Sequence, residues 1–168
     1  MAVSKFVIKY DLHTTSREKV MTSIDWLISF ANKKPVLRLA VMEEDNTPHV
    51  TPLWFVFDGN AFYMATEQYR NGKVTKKVAN IKKNNKVALV IDAYNPKNWD
   101  EVQGIMVQGT ASLIQENSDE ALYAIKLLKN KYPEYREKYS SWLDGKGPES
   151  KPIIIKVMPS KCIVWESP

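Results

Sequence analysis

The stretch that decides the fold runs from Arg38 to Asp92 and reads RLAVMEEDNTPHVTPLWFVFDGNAFYMATEQYRNGKVTKKVANIKKNNKVALVID. Val36 to Glu43 is mostly apolar, as a strand buried on both sides is. Asp45-Asn46 supplies a turn. His49 to Phe57 then alternates, with Thr51, Leu53, Phe55 and Phe57 on one face and Val50, Pro52, Trp54 and Val56 on the other. Pro52 has no N–H to give a ladder, which predicts an edge or a bulge there. Asp58-Gly59 is a strong two-residue hairpin signal, and Ala61 to Thr66 follows as a third strand. Gly72 to Lys83 predicts a helix with Val74, Val78 and Ile81 inward and its lysines outward. Val87 to Asp92 returns to strand.

Outward from this stretch the pattern continues. Thr15 to Lys33 predicts a helix, opened by a Thr15–Glu18 capping box and closed by Pro35. Asn95-Pro96 opens a loop. Val102 to Ile114 predicts a long strand through Gly104 and Gly109, positions that suit a barrel corner or close approach of a ligand. Asn117 reads as the cap of a helix with Ala121, Ile125, Leu128 and Tyr132 on its buried stripe. Tyr135, Tyr139 and Trp142 suggest a second helical piece after Pro133, and Asp144 to Lys151 a polar loop. Ile153 to Met158 and Cys162 to Trp165 read as two strands broken by Pro159. Six or seven short strands, mostly joined as hairpins, argue a mainly β, α+β fold: an antiparallel barrel with flanking helices. Without regular strand–helix alternation, a Rossmann or flavodoxin-like sheet is not expected. We expect one domain over residues 1–168, with residues 1–34 as an N-terminal helical segment.

Composition narrows the classes. The chain has 168 residues, 44% hydrophobic and 26% charged, which suits a globular core and not a disordered chain. No apolar run approaches the roughly 20 residues of a membrane helix, and Met1 to Phe6 lacks the apolar core of a secretory signal. The expectation is a soluble cytoplasmic protein with no membrane partner. Cys162 is the single cysteine, and His13 and His49 are the only histidines. A disulfide within the chain is therefore impossible and a thiolate zinc site is excluded. A Ser-His-Asp hydrolase is improbable unless His49 serves it. The net charge of +5 comes from lysines grouped around residues 73–86 and 126–161. They do not form one basic tail, so nucleic acid is not the expected partner.

The residues that suit an anion lie on the predicted Gly72–Lys83 helix. Thr66 ends a strand, and Lys73, Lys76 and Lys77 follow on about one helical face. A hydroxyl, point charges and a helix N-terminus together suit a phosphate, and they equally suit a solvated helix face. Neither a P-loop nor a dinucleotide turn is present. Trp54, Trp165 and the Tyr135–Tyr139–Trp142 stripe read as packing, His49 as a surface strand residue, and Cys162 as a small buried hydrophobe.

Order and spacing together resemble the pyridoxamine 5′-phosphate oxidase-related FMN-binding split-barrel family. The resemblance is carried by Arg38-Leu39-Ala40-Val41 and by Pro48-His49-Val50-Thr51-Pro52-Leu53-Trp54-Phe55. Thr66, Lys76-Lys77, Val78-Ala79-Asn80-Ile81 and the spacing from Pro159 to Trp165 extend it. It implies a split barrel, a homodimer, and FMN held between subunits. On that reading Arg38, Thr66, Lys76 and Lys77 bind the phosphate. The backbone of Leu39, Ala40 and Val41, with Pro52 and Trp54, lines the ring, and Gln103 or Gly104 and Trp165 approach it. Val41 stands where the family has Thr, and Asn46 where it has a turn Gly. The longer run from Thr66 to Lys77 gives Lys73 a phosphate role. Past the Trp the true oxidases carry an Arg-Leu-His-Asp-Arg segment, where this chain reads Glu166-Ser167-Pro168. The resemblance thus implies a flavin-dependent oxidoreductase of unassigned substrate and no pyridoxamine phosphate oxidation. Its rivals are a deazaflavin-dependent reductase, a non-catalytic flavin- or haem-binding protein, and a single-stranded nucleic-acid barrel.

Overall fold

The computed structural model describes residues 7–10, 24–146 and 152–166. The proposed Thr15–Glu18 capping box lies outside them. The first described element is a strand, β1 (Val7–Tyr10), where a helical segment was expected; it pairs in parallel with residues 162–165. Helix α1 (Ile24–Lys33) follows, with Leu27, Phe30 and Ala31 buried at helical spacing.

The decisive stretch forms β2 (Leu37–Met42), β3 (Pro48–Leu53), β4 (Val56–Phe57) and β5 (Phe62–Glu67). Strand β2 is not buried on both sides. Leu37, Leu39 and Val41 are buried, whereas Arg38 is exposed and Ala40 and Met42 are half-buried. The strand expected from His49 to Phe57 breaks at Trp54-Phe55. The amide of Phe55 donates to the Tyr132 hydroxyl at 3.0 Å, and that hydroxyl lies 2.8 Å from the Phe55 carbonyl and 2.9 Å from the Pro35 carbonyl. A side chain therefore satisfies the backbone that leaves the ladder. Asn46 turns between β2 and β3 with φ 64°, and Gly59 turns between β4 and β5 with φ 96°.

A small hairpin, β6 (Tyr69–Arg70) and β7 (Lys73–Val74), occupies the start of the expected helix. Asn71 and Gly72 both take positive φ at its tip, the signature of a primed turn. Helix α2 begins only at Lys76 (Lys76–Lys83), burying Val78 and Ile81. Then come β8 (Lys86–Asn95) and β9 (Asn98–Ile114), joined by a tight hairpin at Pro96-Lys97 instead of a loop. Helix α3 (Asp119–Lys131) is capped by Ser118, which accepts from the Ala121 amide at 3.1 Å; Asn117, the expected cap, turns the chain with φ 67°. Two short helices, α4 (Pro133–Glu137) and α5 (Ser140–Leu143), precede β10 (Pro152–Glu166). Strand β10 is continuous where two strands were expected. Its bulge at Pro159–Lys161 absorbs the proline without ending the ladder to β9.

The strands run in the order β3-β2-β8-β9-β10-β5-β4, antiparallel, with β1 added on the far part of β10. Strand β3 lies at the edge, as Pro52 requires. One apolar cluster fills the concave side, from Leu39, Leu89, Ile91, Ile105 and Val107 to α1 and α2. A second lies under α3, where Ala121, Ala124, Ile125 and Leu128 meet Tyr63, Ala65 and Ile154. This is the expected split barrel with flanking helices.

Candidate functional site

Alternation along β2, β8 and β9 leaves the convex side of the sheet outside both clusters. Cross-strand register places Val50, Ala40, Ala88 and Gln108 in one row, and Pro52, Arg38, Val90, Met106 and Ile163 in the next. A groove of about 460 Å³ opens on this side beside Ala40, Val41, Met42, Lys86, Thr110 and Ser160. Its size lies within the range of small-molecule sites. The residue after Met42 is Glu43, and it accepts from Lys76 Nζ with both carboxylate oxygens at 3.3 Å. The end of β2 therefore joins the groove to the first turn of α2.

That first turn holds two cations in different environments. Lys76 is exposed and tied to Glu43. Lys77 is half-buried, and its ammonium is pushed below the usual lysine range, first by burial and then by the nearby Arg70 charge; Glu67 acts in the opposite sense. Among the described residues no carboxylate comes within ion-pair distance of Lys77. Arg70 is itself paired to Glu67 at 2.9 Å. Thr75 locks this corner together, its hydroxyl donating to the Glu67 carbonyl at 3.0 Å and its amide to the Gln68 carbonyl at 3.0 Å. Thr66, one residue before Glu67, is buried. No acidic residue sits in the first turn of α2 to offset its dipole.

The other expected site residues fall elsewhere. Lys73 is on β7, not on the helix, and is exposed. Arg38 forms an ion pair with Asp92 of β8 on the convex side. Glu43 lies five positions further along the chain, roughly 16 Å if fully extended. Pro52 lies opposite Arg38. Leu39 points its side chain into the core at 1% exposure. Trp54 stacks on Tyr132 at 5.1 Å and meets Tyr135 edge-on at 4.8 Å, which makes it part of the packing under α3. Gly104 carries the Trp165 ring: a Cβ there would stand 2.1 Å from the indole. Half-buried Gln103 precedes it. The expected residues therefore divide into a cationic corner with the groove, and an Arg38–Asp92 and Gly104–Trp165 group toward the other end of the sheet.

Sequence reasoning missed Glu43, Asp92, and His49 as a partner of Glu43. Its one signal for Asp92 was the pairing of two alternating strands, which puts Arg38 and Asp92 on the same face. The acids of the β2–β3 turn gave a signal only once α2 was seen to pack beside them.

Comparison with known proteins agrees with this architecture. No curated protein matches the chain in sequence. A conserved hypothetical protein, Rv2991 from Mycobacterium tuberculosis, is similar at 18% identity over 92% of this chain and 91% of that one, with TM-score 0.69. HutZ, a haem storage protein from Vibrio cholerae, is similar at 15% identity over 83% and 92%, with TM-score 0.64. An FAD-binding protein from Mesorhizobium loti is similar at 16% identity over 84% and 90%, with TM-score 0.57. These likenesses establish the shared fold. The family model described as pyridoxamine 5′-phosphate oxidase matches residues 27–160, most of the chain and all of the groove and cationic corner, and the protein belongs to that family.

Proposed function

We propose that the protein binds FMN as a homodimer and works as a flavin-dependent oxidoreductase. The observation that carries the reading is the groove at Ala40–Met42, whose strand runs on into Glu43 and through it to Lys76 in the first turn of α2, next to the half-buried Lys77. A flat apolar ring joined to a phosphate by a short chain needs those two environments side by side. Thr66, Lys76 and Lys77 would hold the phosphate, and the backbone of Ala40 and Val41 would border the ring. When bound, the flavin supplies the hydride and electron chemistry, and the protein supplies binding and orientation. Desolvation supports Lys77 as the main phosphate contact, since a partly buried ammonium gains more from an anion than an exposed one.

The convex face supports the homodimer. Val50 is 56% exposed and Met158 42%, and Ala40, Ala88, Val90, Met106 and Ile163 are half-exposed between them. Such an apolar surface, interrupted by Arg38 and Gln108, suits a second copy of the chain.

The test is the absorbance of the purified protein, with mass spectrometry of the released ligand. FMN is expected; a deazaflavin or haem would replace the cofactor, and a colourless protein unable to take up FMN would refute the reading. Lys77→Ala should weaken FMN binding by about one to two decades, the worth of a charge-assisted contact, with circular dichroism unchanged.

A further inference from the structure

The turn after β2 lines up three acids against the lysines of α2. Glu43 takes Lys76, Glu44 takes Lys83, and Asp45 is held below the usual carboxylate range mainly by its hydrogen bonds to Thr47, with Lys76 adding to the effect. Glu43 also has a second neighbour. His49 Nδ1 lies 3.5 Å from Glu43 Oε1, and His49 Nε2 lies 3.2 Å from Thr51 Oγ1. One carboxylate thus sits between a permanent cation and a ring that can become one. Glu43 and His49 are set in, at 28% and 32% side-chain exposure, whereas Lys76 at 70% is free to swing.

We propose that Glu43 competes with a ligand phosphate for Lys76, and that protonation of His49 relieves the competition, so that anion capture at this corner is gated by pH. The inference rests on the reading that a flavin phosphate binds here. While His49 is neutral, Lys76 is the nearest neutraliser of Glu43, and an incoming phosphate must displace the carboxylate. Once His49 is protonated it becomes the partner of Glu43, and Lys76 turns to the phosphate. Histidine is the side chain that changes charge between about pH 5 and 8. Among the described residues the charged group against it is Glu43 from the turn, with Lys76 of α2 on that same carboxylate; Val41, its neighbour across β2, and Thr51 along β3 carry no charge.

FMN and riboflavin would be titrated by flavin fluorescence between pH 5.5 and 8.5 into the wild type, Glu43→Gln and His49→Gln, each first checked for an unchanged melting transition. At pH 8 Glu43→Gln should bind FMN about two- to fivefold tighter than the wild type, the scale of an exposed ion pair. That ratio should shrink toward one at pH 5.5. His49→Gln should match the wild type at pH 8 and lose the relative gain at low pH. The second ionisation of the phosphate, near pH 6, is common to all three proteins and cancels in the ratios. Riboflavin, lacking the phosphate, should show neither effect. A Glu43→Gln ratio that is constant with pH, or no greater than one at pH 8, overturns the competition while FMN binding stands. A His49→Gln profile equal to the wild type overturns the gate. No saturable FMN binding by any of the three at any pH overturns the phosphate reading itself, and the gate with it.

Discussion

At the scale of single residues, two positions hold most of the tension between sequence and surroundings. Gly104 faces the Trp165 ring so closely that a Cβ has no room. Gly104→Ala must expel the indole or bend β9, at a cost of about 1–3 kcal/mol by analogy with overpacked cores. Chemical denaturation with tryptophan emission checks it, and a lower midpoint together with a red-shifted spectrum is expected. Lys131 is the second. Its amine lies 3.6 Å from the centre of the Phe55 ring, buried and without a hydrogen-bond partner, and burial pushes it down to about 7 from an ordinary 10.5. Between those two pH values the unfolded chain binds a proton that the folded chain does not. Stability should therefore rise with pH from about 7 to 10, by at most about 1.4 kcal/mol per pH unit. Lys131→Met should remove that slope and leave the rest of the pH profile in place, as urea titrations across the interval will show.

At the scale of elements, Tyr132 ties three of them together. Placed at the C-terminal cap of α3, it reaches the break between β3 and β4 and the carbonyl of Pro35 ahead of β2. Tyr132→Phe keeps the ring against Trp54 and removes only the hydroxyl. The Phe55 amide is then left buried and unpaired, so a loss of about 1–3 kcal/mol is expected, measured as a lower thermal midpoint. This break also marks where sequence reading reached its limit. Alternation carried on through Trp54-Phe55 because both residues suit a strand, and nothing local announces a hydroxyl 77 residues away. Elements whose causes are local were legible: the stripe of α3, the edge position of β3, and the hairpin signalled by Asp58-Gly59, which turns one residue later, at Gly59-Asn60. Those decided at a distance were not. Proline 159 reads as a breaker, yet the bulge opposite Gly109 accommodates it. Lys73 reads as helical, yet Asn71 and Gly72 turn the chain back before the helix can start. Of the candidate site, the Thr66–Lys77 corner was visible as residue types in order, while its acidic counterpart, Glu43, needed the packing of α2 beside β2.

On the scale of the whole molecule, the proposed homodimer puts the convex face to the test. Light scattering at micromolar concentration should return twice the 19.3 kDa chain mass. Met106→Glu sets a charge in the middle of that face, where a dimer would have to bury it unpaired, and should return a single-chain mass with unchanged circular dichroism. A wild type that already scatters as a single chain would count against the homodimer. The long β10 has its own effect at this scale. It is flanked by β9 along its length, by β5 beside its first part and by β1 beside its last. Its contacts with β5 join residues roughly ninety positions apart, and those with β1 span nearly the whole chain. A chain emerging from the ribosome therefore carries β5 and β9 with bare edges until residues 152–166 arrive. Closure is a late, high-contact-order event, slow relative to the local hairpins. For that interval the nascent protein displays open strand edges of the kind that recruit other chains, which makes its yield in a cell a matter of synthesis rate and chaperone supply as much as of the stability of the finished barrel.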